Sequence, residues 1–495
     1  MRITAKEIEI ATGGRIICGD SSTVVTGIST DTRGDCTDKL FVPLVGENFD
    51  GHYFIGAAFD KGVKATLTAR EDIPQFDGAP GSAAVILVAD TLAALGRLAA
   101  WYRLKFSPVV VAVTGSVGKT TTKEMIALVL SKKYNVLKSA GNFNNEIGLP
   151  LTIFGLTGEH TALVLEMGTN HPGEIGRLSK IARPDMAVIT NIGYAHIERF
   201  GSKRNILKAK LEIMEGLSKN GIVFLNGDDM LLNGLMGLID RPVVYYGIDD
   251  GLDVIGTGAR MKGDRGLEFE FSWQGRNYSV TLNAAGAHNI HNALAAVAVG
   301  LQNDVPPDKI IEALAEFHPD KLRMNVMTIG SVCLINDAYN ANPQSMYAAI
   351  DVLTGLPGEG RRIAVLGDML ELGEFSREHH REVGAYLRGK GIDILVAVGA
   401  NAVDIAAGAS GLSDAAVGAS GLSDAAAGAS GLSDATSDPG RGAVECHVFP
   451  GHDEASAFVV KLLAPGDVVL VKGSRDMSME KVAEAIEKAF ERNGL

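Results

Sequence analysis

"PVVVAVTGSVGKTTTKE", residues 108–124, runs an apolar, valine-rich segment straight into a glycine-flanked turn carrying one lysine. The run Val109–Val113 is short and without polar residues, as expected of a strand covered on both faces in a parallel sheet. The turn Gly115, Ser116, Val117, Gly118, Lys119, Thr120 and Thr121 then leads into a helix-compatible stretch. That order meets the mechanical needs of a phosphate-binding loop: backbone N–H groups and a helix N-terminus face the anion, Lys119 neutralises it, and the Thr120 hydroxyl can ligate Mg²⁺. Val113 stands where the general G-x-x-x-x-G-K-[S/T] pattern has its first glycine, so the loop is a T-G-x-x-G-K-T variant. An ordinary helix-capping turn with an exposed lysine is the competing reading.

Outward from this stretch, apolar runs ending in Gly, Asp, Asn or Thr alternate with amphipathic segments. "VVVAVTG", "ALVLEMG", "MAVITNIG" and "GIVFLNGDD" form one set; "RIAVLGDM", "ILVAVGAN" and "VVLVKGS" form another. Such alternation predicts parallel sheets flanked by helices, with ligands gathering at the strand C-terminal ends. The polar stretch "GDRGLEFEFSWQGRNYSV" and the region around "EFHPDKLR" read as turn-rich separators between the sets. Ahead of the first set, "GISTDTRGDCTDKLFVPLVGENFDGHYFIGAAFDKGV" reads as a small α/β unit of its own. The expected fold is α/β with three domains over residues 1–88, 89–317 and 318–495. They are a small N-terminal α/β substrate domain, a central P-loop parallel-sheet ATPase domain and a C-terminal Rossmann-like domain. From Gly408 to Ser437, three nearly identical ten-residue units ("GASGLSDAAV", "GASGLSDAAA", "GASGLSDATS") offer one Leu each. A solenoid needs more apolar surface than that, so a mobile surface loop is expected.

Length and composition bound the function. A chain of 495 residues, 46% hydrophobic and 21% charged, is too long for one core and suits several domains. A net charge of −13 disfavours general nucleic-acid or anionic-membrane binding, so an anionic ligand needs a local site. The start "MRITAKEIEIATGG" lacks a signal-peptide core and no apolar run suffices to span a bilayer, which predicts a cytoplasmic protein without membrane insertion. The cysteines, Cys18, Cys36, Cys333 and Cys446, show no metal-ligand spacing and are expected to be reduced thiols.

Further candidates follow the strand ends. Glu166 in "LVLEMGTNHPGE" is a strand-end acid placed to hold Mg²⁺ directly or through water, since burying it without a cation would be expensive. His196 follows another strand in "TNIGYAHIERFGS". In the helix after it, Ile206, Lys210, Ile213, Met214 and Leu217 make one apolar stripe with a lysine in it, while Lys208 faces water. Snorkelling is the ordinary explanation of such a lysine.

"TGSVGKTTTKE", "GNFNNEIGLPLT", "LEMGTNHPGEI", "NIGYAHIERFGS", "AHNIHNALAA", "NDAYNANPQSM", "VLGDMLELGE" and "VLVKGSRDMSME" together resemble the Mur ligases, and within them the MurF type. The likeness covers nearly the whole chain, with the ten-residue repeat as the departure. It implies an ATP- and Mg²⁺-dependent ligase, expected to be a monomer, that joins D-Ala-D-Ala to UDP-MurNAc-tripeptide through an acyl phosphate. It further implies catalytic roles for Lys119, Lys210 and His196, with Lys210 carbamylated by CO₂, and metal contacts from Thr120, Glu166, His196 and Lys210. Asn289, Asn292, Arg323 and Asp337 would serve ATP. Ser29, Thr30, Arg33, Asn145, Lys472, Ser474 and Arg475 would meet the substrates. The alternatives are an amino-acid-adding relative, a folylpolyglutamate-type ligase and a P-loop nucleotide switch.

Overall fold

The structure, a computed structural model, describes residues 1–71, 83–262, 266–411 and 444–492. Its centre is a nine-stranded sheet. The strand Val109–Thr114 lies in it between Met186–Ile189 and Ala162–Glu166, parallel to both. Every residue from Val110 to Thr114 is buried, because helices cover both faces. Ala162–Glu166 also pairs with the edge strand Val136–Lys138, and on the other side Ile222–Asn226, Val243–Gly247 and Val254–Lys262 continue the parallel order. The chain thus leaves Val109–Thr114 in both directions, and the crevice at such a switch point is where parallel sheets receive ligands.

The stretch taken from the sequence as a separator is part of this sheet. Val254–Lys262, Gly266–Trp273 and Arg276–Leu282 pair antiparallel and extend it. The physical reason was present in the alternation of "LEFEF": Leu267, Phe269 and Phe271 are buried, while Glu268 is half-buried and Glu270 exposed.

A six-stranded sheet follows, in the order Asn325–Ile329, Val332–Asp337, Val468–Lys472, Arg362–Gly367, Ile394–Val398 and Glu445–Phe449. All pairs are parallel except the first. Nearer the N-terminus, a five-stranded sheet runs Arg15–Cys18, Ala84–Leu87, Ala65–Thr68, Lys39–Phe41, Gly27–Ser29, with only its first pair antiparallel. The helix Thr91–Arg103 ties this unit to the central one: Arg97 Nε donates to Thr12 O at 2.8 Å and Tyr102 Oη to Leu156 O at 2.9 Å.

The first repeat unit does not begin as a loop. Gly408–Ser410 close the helix Ala402–Ser410, packed so tightly on Ser376–Gly389 that a Cβ on Gly408 would lie 2.1 Å from Arg381 O. From residue 412 on, the repeat lies outside the described residues. The four cysteines are free thiols, and among the described residues no helix is long and apolar enough to cross a membrane.

Candidate active site

The phosphate-type loop takes its shape from its glycines. Gly115 has φ +147 and a Cβ there would sit 1.9 Å from Thr190 Oγ1; Gly118 has φ +85 and a Cβ would sit 2.5 Å from Asn292 Oδ1. Both conformation and space therefore require glycine. The helix Lys119–Ser131 starts at Gly118 with no capping side chain, so its first-turn N–H groups stay available to an anion. Not every loop amide shares this role. Ser116 N donates to Asn191 O at 3.1 Å and Val117 N to Asn191 Oδ1 at 2.9 Å, so those two brace the loop instead. Lys119 folds back, donating to Gly115 O at 3.0 Å and Ser116 O at 3.3 Å. Burial lowers its pKa, opposed by the Glu166 charge and reinforced by Arg323.

Beside the loop, Thr120 Oγ1 donates to Glu166 Oε2 at 2.8 Å and Asn144 Nδ2 to Glu166 Oε1 at 2.8 Å. Glu166 ends its strand only 2% exposed. Lys123, one helical turn beyond Lys119, is wholly buried: its Nζ donates to Ser139 O at 2.7 Å, with Glu124 at 3.0 Å and Glu166 at 4.0 Å. Lys123 and Asn144 escaped the sequence reading, although the four-residue spacing Lys119–Lys123 marks a shared helix face.

Lys119, Thr120, Asn144 and Glu166 open into a cavity of about 650 Å³ between the central and C-terminal sheets, within the range of small-molecule sites. Gly118–Thr121, Glu166, His196, Asn289, Asn292, Arg323 and Asp337 line it, as do Asn145, Lys472, Ser474 and Arg475. Lys210, Ser29, Thr30 and Arg33 are not on its wall. Ser29 Oγ donates to Asp31 O at 2.8 Å. Arg33, 90% exposed, pairs with Asp31 at 2.6 Å and pulls that carboxyl down to about 2.

Several candidates are already engaged. Asn289 and Asn292 do not cap their helix; Thr122 Oγ1 donates to Asn292 Oδ1, Asn292 Nδ2 to Asn289 Oδ1 and Asn289 Nδ2 to Ala285 O, at 3.0, 2.9 and 2.7 Å. Asn145 Oδ1 accepts from Gly148 N at 2.8 Å. Asp337 pairs with Lys472 at 2.5 Å, and Ser474 Oγ accepts from Leu370 N at 2.8 Å. The Arg323 guanidinium lies 3.7 Å from the Tyr339 ring centre.

Lys210 is only 2% exposed, near the end of the helix Lys203–Leu211, with Ile206 buried one turn before it and Lys208 exposed. The expected helix does not reach Leu217, since Glu212–Gly216 tighten into a 3-10 turn and Leu217 is extended, although Ile213 and Leu217 are buried too. Burial first, and then the Lys119 charge, hold its pKa well below the usual lysine range, against Glu212 and Glu174. Snorkelling, which would keep the ammonium in water, is not what this helix does.

His196 has φ +61, and its Nδ1 lies 2.6 Å from Glu371 Oε2, a close contact without hydrogen-bond geometry. Glu371 belongs to the C-terminal unit, and the imidazole lowers its pKa. Its "GDMLELGE" segment was read for family likeness alone, since nothing local in sequence points it at His196.

Comparison with known proteins agrees with this geometry. Residues 113–300 match the Mur ligase middle domain and residues 322–475 the Mur ligase, glutamate ligase domain. The UDP-N-acetylmuramoyl-tripeptide–D-alanyl-D-alanine ligase of Bacillus subtilis is 41% identical over 388 residues, covering 78% of this chain and 83% of that protein. The chain belongs to the Mur ligase family, in its MurF branch. The ligase of that name from Mycobacterium bovis is 34% identical to this Mur ligase over 93% of the chain and 92% of its own length. Among solved structures, MurF from Acinetobacter baumannii superposes with a TM-score of 0.85 at 31% identity, covering 99% of both chains. MurF from Thermotoga maritima, in complex with ADP, superposes at 0.79 with 29% identity, over 95% of this chain and 99% of its own. The mixed α/β architecture with parallel sheets is thus that of the MurF enzymes.

Proposed function

We propose that this Mur ligase joins D-Ala-D-Ala to UDP-MurNAc-tripeptide with conversion of ATP to ADP and phosphate. One observation carries the reading: an uncapped helix N-terminus, Lys119, Thr120, Glu166 and His196 converge on a cavity whose other wall is a second sheet unit. A nucleotide switch has no need of such a wall.

The chemistry assigns the parts. A tripeptide carboxylate oxygen attacks the γ-phosphorus, the bond to the β-phosphate oxygen breaks, and ADP leaves. The dipeptide amine, in its neutral form, then attacks the acyl carbon; phosphate leaves and the amine proton is lost. Two anions must meet in line, so cationic groups and aligned N–H donors supply most of the stabilisation. Lys119 and the first-turn amides hold the β- and γ-phosphates, and Arg323 adds charge from the facing unit. Asn289, Asn292 and Asp337 border the nucleoside end. Lys472, Ser474 and Arg475 form the acceptor wall, with Lys472 and Ser474 stiffening it and Arg475 facing the ligand. Asn145 closes the tripeptide side. Ser29, Thr30 and Arg33 hold the uridine diphosphate end, in a substrate domain of residues 1–88 preceding an ATP domain of 89–317 and a closing domain of 318–495.

Among the described residues no cluster of three or more His, Cys, Asp or Glu side chains gathers as a metal site. The buried Glu166–Thr120 pair nevertheless fits Mg²⁺, which takes one or two protein oxygens and completes its shell from phosphate and water. When bound, the ion neutralises phosphate oxygens and helps align them. Thr120 and Glu166 would hold it, with His196 and a carbamylated Lys210 as further ligands. The depressed pKa of Lys210 leaves the neutral amine that CO₂ requires, and the carbamate would put an anion where an ammonium is disfavoured by burial and the Lys119 charge. The protein is expected to act in the cytoplasm as a monomer.

Phosphate release from purified enzyme should require Mg²⁺, UDP-MurNAc-tripeptide and D-Ala-D-Ala together. Full turnover without the dipeptide would overturn the reading, and turnover with a single amino acid in its place would select an amino-acid-adding ligase.

A further inference from the structure

The loop between the strand Met186–Ile189 and the helix Lys203–Leu211 serves two partners at once. On one side it clamps the phosphate-type loop: Thr190 Oγ1 and Asn191 Nδ2 donate to Val117 O at 2.6 and 2.9 Å, and Gly193 N donates to Ser116 Oγ at 2.8 Å. On the other side it carries the C-terminal unit. Gly193 leaves room for Gln344, whose Oε1 would lie 1.7 Å from a Cβ at that position. The Tyr194 ring lies 4.4 Å from that of His379, Glu198 N donates to Glu371 O at 3.2 Å, and His196 meets Glu371.

Glu371 is delivered to this contact by a braced turn. Met369 N donates to His380 Nε2 at 2.9 Å, Leu370 N to Ser474 Oγ at 2.8 Å, and Ser474 N to Asp368 O at 3.0 Å. His380 Nδ1 lies 2.6 Å from Ser376 O, to which it must donate, so Nε2 is left as the acceptor. Glu371 and His196 both have φ +61, a left-handed conformation uncommon outside glycine, and they touch each other from different units. Backbone strain held at both ends of one contact is retained where the surroundings over-determine it, which is typical of working sites.

We propose that Glu371 is a positioning residue for His196, supplied by the C-terminal unit, so that the imidazole is set for reaction only while that unit is docked on the loop Asn191–Phe200. With Nδ1 facing the carboxylate, Nε2 is the ring nitrogen left for the cavity that His196 lines. Because the same loop clamps Ser116 and Val117, docking and the phosphate site share one structural element. His380 acts one step further back, by fixing the turn that aims Glu371.

The turnover test rests on the ligase reading; the labelling test does not. Glu371→Gln and Glu371→Ala should each lower kcat about 10- to 100-fold, the usual effect of losing a carboxylate that orients a histidine ligand. KM for both substrates, ADP affinity by calorimetry and Tm should stay near those of the parent, and Glu371→Asp should recover part of the rate. In a His196→Asn background, Glu371→Ala should add nothing, because the two act as one unit. Independently of turnover, carbethoxylation of His196 by diethyl pyrocarbonate, read by peptide mass, should speed up severalfold in Glu371→Ala. His380→Ala should shift both readouts in the same direction, with His380→Gln closer to the parent. A kcat within twofold of the parent in Glu371→Ala would overturn the proposal. So would a full additional loss in the His196→Asn background, or an unchanged carbethoxylation rate.

Discussion

Two lysines lie at or just beyond strand ends, and the molecule holds them in opposite ways. Lys119 follows Val109–Thr114 and a glycine turn; Lys472 ends Val468–Lys472 just before Gly473 and Ser474. Both line the same cavity. Lys119 donates to two carbonyls of its own loop, which a phosphate can replace. Lys472 is 2% exposed and held by the Asp337 carboxylate and by Asn340 O at 2.8 Å. The two differ in whether an anion of the protein already pairs with the ammonium, and the ligand role proposed for Lys119 rests on that difference.

The largest test of that contrast is Lys119→Ala. Losing a charge-assisted contact to a transferring phosphoryl group raises the barrier by about 3 kcal/mol or more, so phosphate release should drop hundreds-fold. Tm should hardly move. Lys210→Ala should be nearly inactive as well, with acetate restoring part of the rate by filling the vacated space, while Lys208→Ala on the exposed face should be silent in the same assay. If Lys210→Ala kept most of its activity, the proposed carbamate would be wrong.

Lys472→Met should reverse the pattern seen at Lys119. Removing one partner of a buried pair leaves Asp337 uncompensated, at a cost of about 3 kcal/mol in denaturant unfolding. Adding Asp337→Asn should recover much of that stability. A stable Lys472→Met that lost only activity would place Lys472 with Lys119 as a ligand-binding cation.

The mildest effect concerns pH. Burial lowers the pKa of His288 from its ordinary 6.5 to about 4. The unfolded chain therefore binds this proton more readily than the folded one between those values, and stability falls as pH drops through that window. The slope from this group is at most about 1.4 kcal/mol per pH unit. His288→Gln should flatten the dependence of Tm on pH between 6.5 and 4; an unchanged slope would show that the group does not titrate as its burial requires.

Local order carried the sequence reading a long way. Strand, glycine turn, lysine and helix start are neighbours in the chain, so the strand–turn–helix order of residues 109–124, on which the proposed phosphate role rests, is legible before any folding is considered. Glu166 and His196 were found the same way, as polar residues just past apolar runs, and helical periodicity sufficed to bury Lys210 and expose Lys208. Periodicity was also available, and misread, in "LEFEF", where a two-residue alternation already described the strand Gly266–Trp273.

What tertiary structure alone decided was partnership. That Val117 N is taken by Asn191, Lys472 by Asp337 and His196 by Glu371 depends on contacts between residues 74, 135 and 175 positions apart in the chain. The propensities and periodicities that make a helix or strand act over a few residues. The neutralisation of a buried charge depends on which distant strand end the sheet order brings beside it, and that order exists only once the sheets have formed.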